Sequence, residues 1–154
     1  MSTQRRFSPL DLFKFNNMAG PLRRDRARER HNHGIQLMMG KAEGVGKEWH
    51  GHVTAVTVAP EFRRLGLAAQ MMAWLEEVSD KTYDAYFVDL FVRVSNSVAI
   101  DMYKRFGYSV YRRVIGYYAG PHDEDAFDMR KALPRDVKKE SVVPLDRAVY
   151  PHEL

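Results

Sequence analysis

Residues 52–68, HVTAVTVAPEFRRLGLA, constrain the fold more than any other stretch of this chain. Val53, Val56 and Val58, with Thr54 and Thr57, are β-branched and suit a pleated strand. Pro60 has no N–H for a sheet ladder, so the strand is expected to stop there. Arg63-Arg64-Leu65-Gly66-Leu67-Ala68 follows. Gly66 permits positive φ or close approach of a ligand. A helix that opens here presents unpaired N–H groups and the positive end of its dipole. With Arg63 and Arg64 beside them, these donors form an anion cradle suited to phosphate or pyrophosphate.

The rest of the chain supplies a frame for that loop. A length of 154 residues suits one domain with a single core. The chain has no cysteine, which excludes disulfides, thiolate metal sites and a cysteine nucleophile. No apolar run approaches the roughly 20 residues that cross a bilayer. The opening MSTQRRFSPLDLF lacks the apolar core of a secretory signal, so a cytoplasmic location is expected, without a membrane partner. The net charge of +4 favours anionic ligands only weakly, and ordinary surface charge explains it equally well.

Arg5-Arg6-Phe7 reads as a short strand. Ser8-Pro9 then reads as a helix start, with serine as N-cap and proline at the first helical position. Leu10, Phe13 and Asn17 fall on one face, and Gly20-Pro21 closes the helix. Arginines at 23, 24, 26, 28 and 30 face only Asp25 and Glu29, so residues 19–34 are expected to be irregular and solvated. An arginine run without interleaved aromatics is a weak nucleic-acid signal, and direct nucleic-acid binding is not expected. His31 and His33 lack a partner cluster, so no metal site is expected.

Residues 35–42 and 49–58 read as a hairpin around Gly44-Val45-Gly46. Helix periodicity follows over 67–78, with Ala68, Met71, Met72, Leu75 and Val78 in its stripe. Residues 85–94 form the most apolar strand, buried on both faces around a lone Asp89. Asn96 is a good N-cap for a helix over 97–106, and Gly107 a good stop. Strands are expected over 108–118 and 126–133. The tail, 134–154, has three prolines and no periodicity, and is expected to be extended or disordered beyond a domain of residues 1–133.

Two blocks carry a resemblance. Arg63, Gly66 and Ala68 meet the Arg/Gln-x-x-Gly-x-Gly/Ala signature of the GNAT acetyltransferases. Residues 96–108, NSVAIDMYKRFGY, resemble that family's Asn-x-x-Ala-x-x-x-Tyr-x-x-Phe-Gly-Tyr segment. More narrowly, FSPLDLFKFNN, residues 39–58, FVDLFVRVSN and DEDAFDMRKAL resemble the catalytic subunits of N-terminal acetyltransferase B (NatB). The resemblance implies an α+β acyl-CoA N-acyltransferase fold, with a mixed, mostly antiparallel sheet flanked by helices. It implies acetyl transfer from acetyl-CoA to nascent chains beginning Met-Asp, Met-Glu, Met-Asn or Met-Gln. It also implies a large helical auxiliary subunit and, through it, the ribosome.

The resemblance assigns roles residue by residue. Backbone groups of Val56 and Val58 would hold the pantetheine arm. Arg63, Arg64, Leu65, Gly66, Leu67 and Ala68 would hold the pyrophosphate, with Asn96 near the cofactor. Tyr103 would protonate the leaving thiolate. His52 and Thr54 would meet the peptide's second residue, with His52 also relaying a proton. Tyr117 and Tyr118 would bind the peptide backbone. Read from the residues alone, Tyr103 is equally a packed core tyrosine, His52 a structural strand histidine, Asn96 a helix cap, and Tyr117 with Tyr118 an amphipathic edge pair.

The chain departs from that family at one place. The family carries about 40 residues between its first helix and the strand at Met39, comprising a substrate-binding loop, a helix and a strand. Residues 18–38 stand there instead. One strand and one helix are therefore expected to be missing, and the 35–42 strand is expected to sit at an exposed, poorly paired edge.

Overall fold

The computed structural model describes residues 13–16 and 36–154. The 8–20 helix, as far as it is described, is not a helix. Phe13–Asn16 is a short strand, β1. The expected Arg5–Phe7 strand and the arginine run lie outside the described residues. β1 pairs antiparallel with β2 (Gln36–Glu43), from Phe13 opposite Gly40 to Asn16 opposite Leu37. The expected bare edge is therefore covered by a strand. An unpaired ladder of N–H and C=O groups is a template for any extended segment within reach, and its pairing overrides a helical pattern.

β2 forms the expected hairpin with β3 (His50–Val58), through a single 3-10 turn at Gly46–Glu48. Pro60 ends β3 as expected, in a second such turn. Helix α1 (Leu67–Lys81) buries Met71, Met72 and Leu75. Gly51 allows this helix to lie close on β3, because a Cβ there would sit 2.1 Å from Ser79 Oγ. β4 (Phe87–Arg93) is buried along nearly its whole length. α2 (Ser97–Arg105) follows, capped by Asn96, whose Oδ1 accepts from Ala99 N at 3.1 Å. β5 (Ser109–Tyr118) and β6 (Glu124–Ala132) follow.

The sheet order is β1-β2-β3-β4-β6-β5. All neighbours are antiparallel except β3 and β4. One core joins α1 and α2 to the sheet, through Met38, Val53, Met72, Leu75, Val88, Leu90, Ile100 and Met129. Each fully buried aliphatic side chain there contributes about 1.5–3 kcal/mol.

The tail has no long regular element, as its composition suggests, but it is not free. Val149, 1% exposed, packs on Val114 beside β5. Val149 N donates to Arg113 O at 2.9 Å, and Ile115 N donates to Val149 O at 2.8 Å. Buried Asp136 accepts from Glu140 N and Ser141 N. One apolar side chain and an available strand edge hold a segment that lacks periodicity.

Candidate active site

β3 and β4 share only four residue pairs, from His50 opposite Phe87 to Val53 opposite Leu90. Beyond Val53 the strands separate. The second half of β3, including Val56 and Val58, has no ladder partner on β4, while β2 pairs it on the other side. A backbone edge of this kind is a slot for an extended amide-bearing ligand.

The basic loop lies at the end of that slot. The first backbone bond of α1 runs from Gln70 N to Gly66 O, at 3.1 Å. The N–H groups of Leu67, Ala68 and Ala69 therefore have no intrahelical acceptor, and no side chain caps them. Gly66 takes φ 76°, and a Cβ built on it meets nothing within 4 Å. Arg64 also has positive φ, 66°. A non-glycine residue held there costs of order 1 kcal/mol, a cost found preferentially at ligand clamps. Arg63 Nε donates to Val58 O at 3.2 Å, so this side chain also ties the loop to the strand end. Leu65 is exposed. Uncapped N–H groups, open space above Gly66 and two cations suit a pyrophosphate.

An aromatic wall stands on the other side. His52 lies 5.7 Å from Phe91, and Phe91 stacks on Tyr117 at 4.5 Å. Tyr117 meets Tyr118 edge-on at 5.0 Å. The Tyr118 hydroxyl donates to Phe91 O at 3.1 Å, and Arg93 lies over its ring. The structure thus brings His52, Tyr117 and Tyr118 together, with the Tyr118 hydroxyl already engaged. Thr54 is exposed one step along the strand from them.

Tyr103 is half-buried on α2, packed edge-on against Phe106 and Tyr108. Burial pushes its phenol above the ordinary value, which keeps it protonated. Burial and the Tyr117 phenol push Tyr118 up, and the nearby Tyr103 phenol adds to this. Asn96 caps α2, the role its position suggested.

Asp89 is the residue that sequence reasoning passed over. It faces His52 across β3 and β4, and its Oδ1 is 2.8 Å from His52 Nδ1. The carboxyl is 4% exposed. Burial pushes its pKa up, but the hydrogen bond from His52 and the charges of His50, His52 and Arg130 outweigh this and hold it below its ordinary value. An ionised Asp89 only accepts, so Nδ1 of His52 carries the proton. The available signal was a single carboxylate inside the most apolar strand. Glu43 and His50, also unremarked in the sequence, border this pair. A cavity of about 330 Å³ lies elsewhere, between the tail and residues such as Tyr86, Tyr111 and Arg130, and holds none of the predicted site residues.

Residues 27–108 match the acetyltransferase (GNAT) family model. An N-alpha-acetyltransferase 20 from Dictyostelium discoideum is 56% identical over 170 positions, covering 98% of this chain and 97% of that protein. The chain belongs to the GNAT acetyltransferases. Within them it is similar to the NatB complex catalytic subunit naa20 of Schizosaccharomyces pombe, at 50% identity over 92% of this chain and 91% of that one. Among solved structures it resembles Chaetomium thermophilum Naa20 in complex with a bisubstrate analogue, with TM-score 0.71 and 44% identity over 80% of this chain and 75% of that one. The Dictyostelium alignment is longer than this 154-residue chain, so that relative carries residues with no counterpart here. In this GNAT chain the uncapped loop coincides with the Arg63–Ala68 signature and Tyr103 lies in the 96–108 block, while the slot lies just upstream, on β3.

Proposed function

We infer that this chain transfers the acetyl group of acetyl-CoA to the α-amino group of peptides beginning Met-Asp, Met-Glu, Met-Asn or Met-Gln, as a NatB-type catalytic subunit. The separation of β3 from β4 beside the uncapped α1 terminus carries the reading. A relative solved as a NatB complex with a bisubstrate inhibitor supports it, with TM-score 0.67 and 38% identity. So does a NatB complex bound to CoA, with TM-score 0.62 and 40% identity. Those complexes support an auxiliary subunit as partner. Attachment to the ribosome and a cytoplasmic location belong to the same proposal.

Bound acetyl-CoA would supply an activated thioester, and the chain's own groups would do the rest. The β3 edge at Val56 and Val58 would hold the pantetheine amides, and the loop amides from Arg64 to Ala68 the pyrophosphate. Holding amine and thioester together is worth several kcal/mol. His52, fixed through Nδ1 by Asp89, offers Nε2 to take the ammonium proton. Tyr103, kept neutral by burial, would hold the proton that the leaving sulfur needs. His52 and Thr54 line the place for the second side chain, and Tyr117 the place for the peptide backbone.

The gap in the alignment with the Dictyostelium relative favours a second reading. In it the chain binds acetyl-CoA and the auxiliary subunit but turns over poorly, because part of the peptide pocket is absent. Calorimetric titration with acetyl-CoA tests what both readings share. Saturable binding is expected, and none at high micromolar ligand would overturn both.

A further inference from the structure

Four side chains from three strands converge beside the aromatic wall. Glu43 closes β2, His50 and His52 lie on β3, and Asp89 lies on β4. Glu43 Oε1 is 3.8 Å from His50 Nε2 and 3.9 Å from His52 Nδ1. Asp89 Oδ1 is 3.5 Å from His50 Nε2 and 2.8 Å from His52 Nδ1. The ligand atoms of Glu43, His50 and His52 all lie within 4.8 Å of one another.

The His50 ring is fixed from outside this group. Its Nδ1 is 2.6 Å from the Glu48 carbonyl, which only accepts, and its face stacks on Phe87 at 4.7 Å and 4°. With Nδ1 held on that carbonyl, Nε2 points at two carboxylates. It donates to them when protonated, and when deprotonated it offers a lone pair beside them for a cation. A ring N–H held on a backbone carbonyl, with the other nitrogen free, is how proteins orient a metal-binding imidazole. Bonds of about 2.0–2.2 Å in a tetrahedron put ligand atoms about 3.3–3.6 Å apart. Three of the four separations above exceed or meet that by a few tenths of an ångström. The fourth opens once the Nδ1 proton of His52 is displaced. Two imidazoles with two carboxylates suit zinc and its divalent transition-metal neighbours, whereas magnesium and calcium prefer all-oxygen shells.

We propose that Glu43, His50, His52 and Asp89 bind one divalent transition-metal ion, zinc by preference, and that the bound ion takes His52 out of acetyl transfer. The first half stands on geometry alone, and the second rests on the acetyl-transfer reading. Coordination through Nδ1 of a neutral His52 moves its proton to Nε2. Coordination of the imidazolium releases one proton to solvent. In both cases Nε2 no longer accepts a proton.

The test uses the full chain with its auxiliary subunit, stripped of metal by a chelator. Calorimetry with Zn²⁺ should give one ion per chain with Kd of about 10 μM or tighter. Co²⁺ should give the intense visible bands of tetrahedral coordination. Glu43→Gln and His50→Gln should each weaken binding at least about tenfold, and Glu43→Gln should leave metal-free acetyl transfer unchanged. Zn²⁺ should inhibit the unmodified enzyme reversibly, both variants should resist it, and Mg²⁺ should do neither. No saturable Zn²⁺ binding, or binding equal in both variants, would overturn the site. Binding without inhibition in an active enzyme would overturn the link to His52. If the chain transfers no acetyl group, the calorimetric and Co²⁺ arms still decide the site.

Discussion

His52 Nδ1 lies 2.8 Å from Oδ1 of Asp89, its register partner across the parallel pair of β3 and β4. Asp89 is 4% exposed, so the carboxylate acts on the imidazole without competition from bulk water. It fixes the tautomer and, in the proposed mechanism, would stabilise the imidazolium formed when Nε2 takes a proton. Asp89→Asn removes the charge and leaves an amide of the same shape. The expected result is a fall in kcat of about tenfold or more for a Met-Asp peptide, with the KM for acetyl-CoA unchanged. An unchanged kcat would remove His52 from proton transfer.

Tyr103→Phe keeps the ring that packs on Phe106 and Tyr108 and deletes only the hydroxyl. Loss of a general acid is expected to lower kcat roughly 10²-fold or more. Binding of acetyl-CoA, followed by calorimetry, should stay within a factor of about three of the original, since the ring remains. Unchanged turnover would leave the leaving thiolate without its donor in this account.

Gly66→Ala separates strain from occupancy. A Cβ there meets nothing within 4 Å, yet φ 76° is unfavourable for any residue with a side chain. The expected loss of stability is about 1 kcal/mol, read as a small drop in Tm. The open space that accepts the Cβ is the space assigned to the pyrophosphate. KM for acetyl-CoA should therefore rise several-fold, more than the small Tm shift alone would suggest.

How much of this was legible beforehand differs between elements. Residues 52–68 and 96–108 were readable because β-branched runs, a proline stop, an asparagine cap and glycine turns are local signals. β1 was not. The helical spacing of residues 8–20 is local too, but the open edge of β2 is a distant partner that outbids it. The tail was legible only as irregular chain, and its anchoring was not, for the same reason. Val149 carries no pattern of its own and is held by Val114 and the β5 edge. In the site, motif residues were found and the Asp89 pairing was not, because a cross-strand register is not written in sequence spacing.

Tyr108 gives an alkaline signature. Its hydroxyl donates to Glu76 at 3.0 Å, and Lys131 holds the other carboxylate oxygen at 2.6 Å. Burial, and then the charge of Glu76, push the phenol well above its ordinary value of 10.0. The folded state thus holds a proton that the unfolded state releases. The contribution of this group is fully present below about pH 10 and is lost as pH rises through the folded value. Tyr108→Phe should cost about 1 kcal/mol at neutral pH through the lost hydrogen bond. Its Tm should then fall less steeply above about pH 10 than that of the unmodified chain. Parallel Tm curves would contradict this.

The most direct measurement is steady-state acetyl transfer from acetyl-CoA, with the auxiliary subunit present, to a Met-Asp peptide and to a Ser-Ala peptide. The account predicts turnover on Met-Asp at least about tenfold above Ser-Ala, the scale that buried polar complementarity to a side chain provides. Acetyl-CoA that binds but is not transferred to Met-Asp, or equal transfer to both peptides, would contradict it.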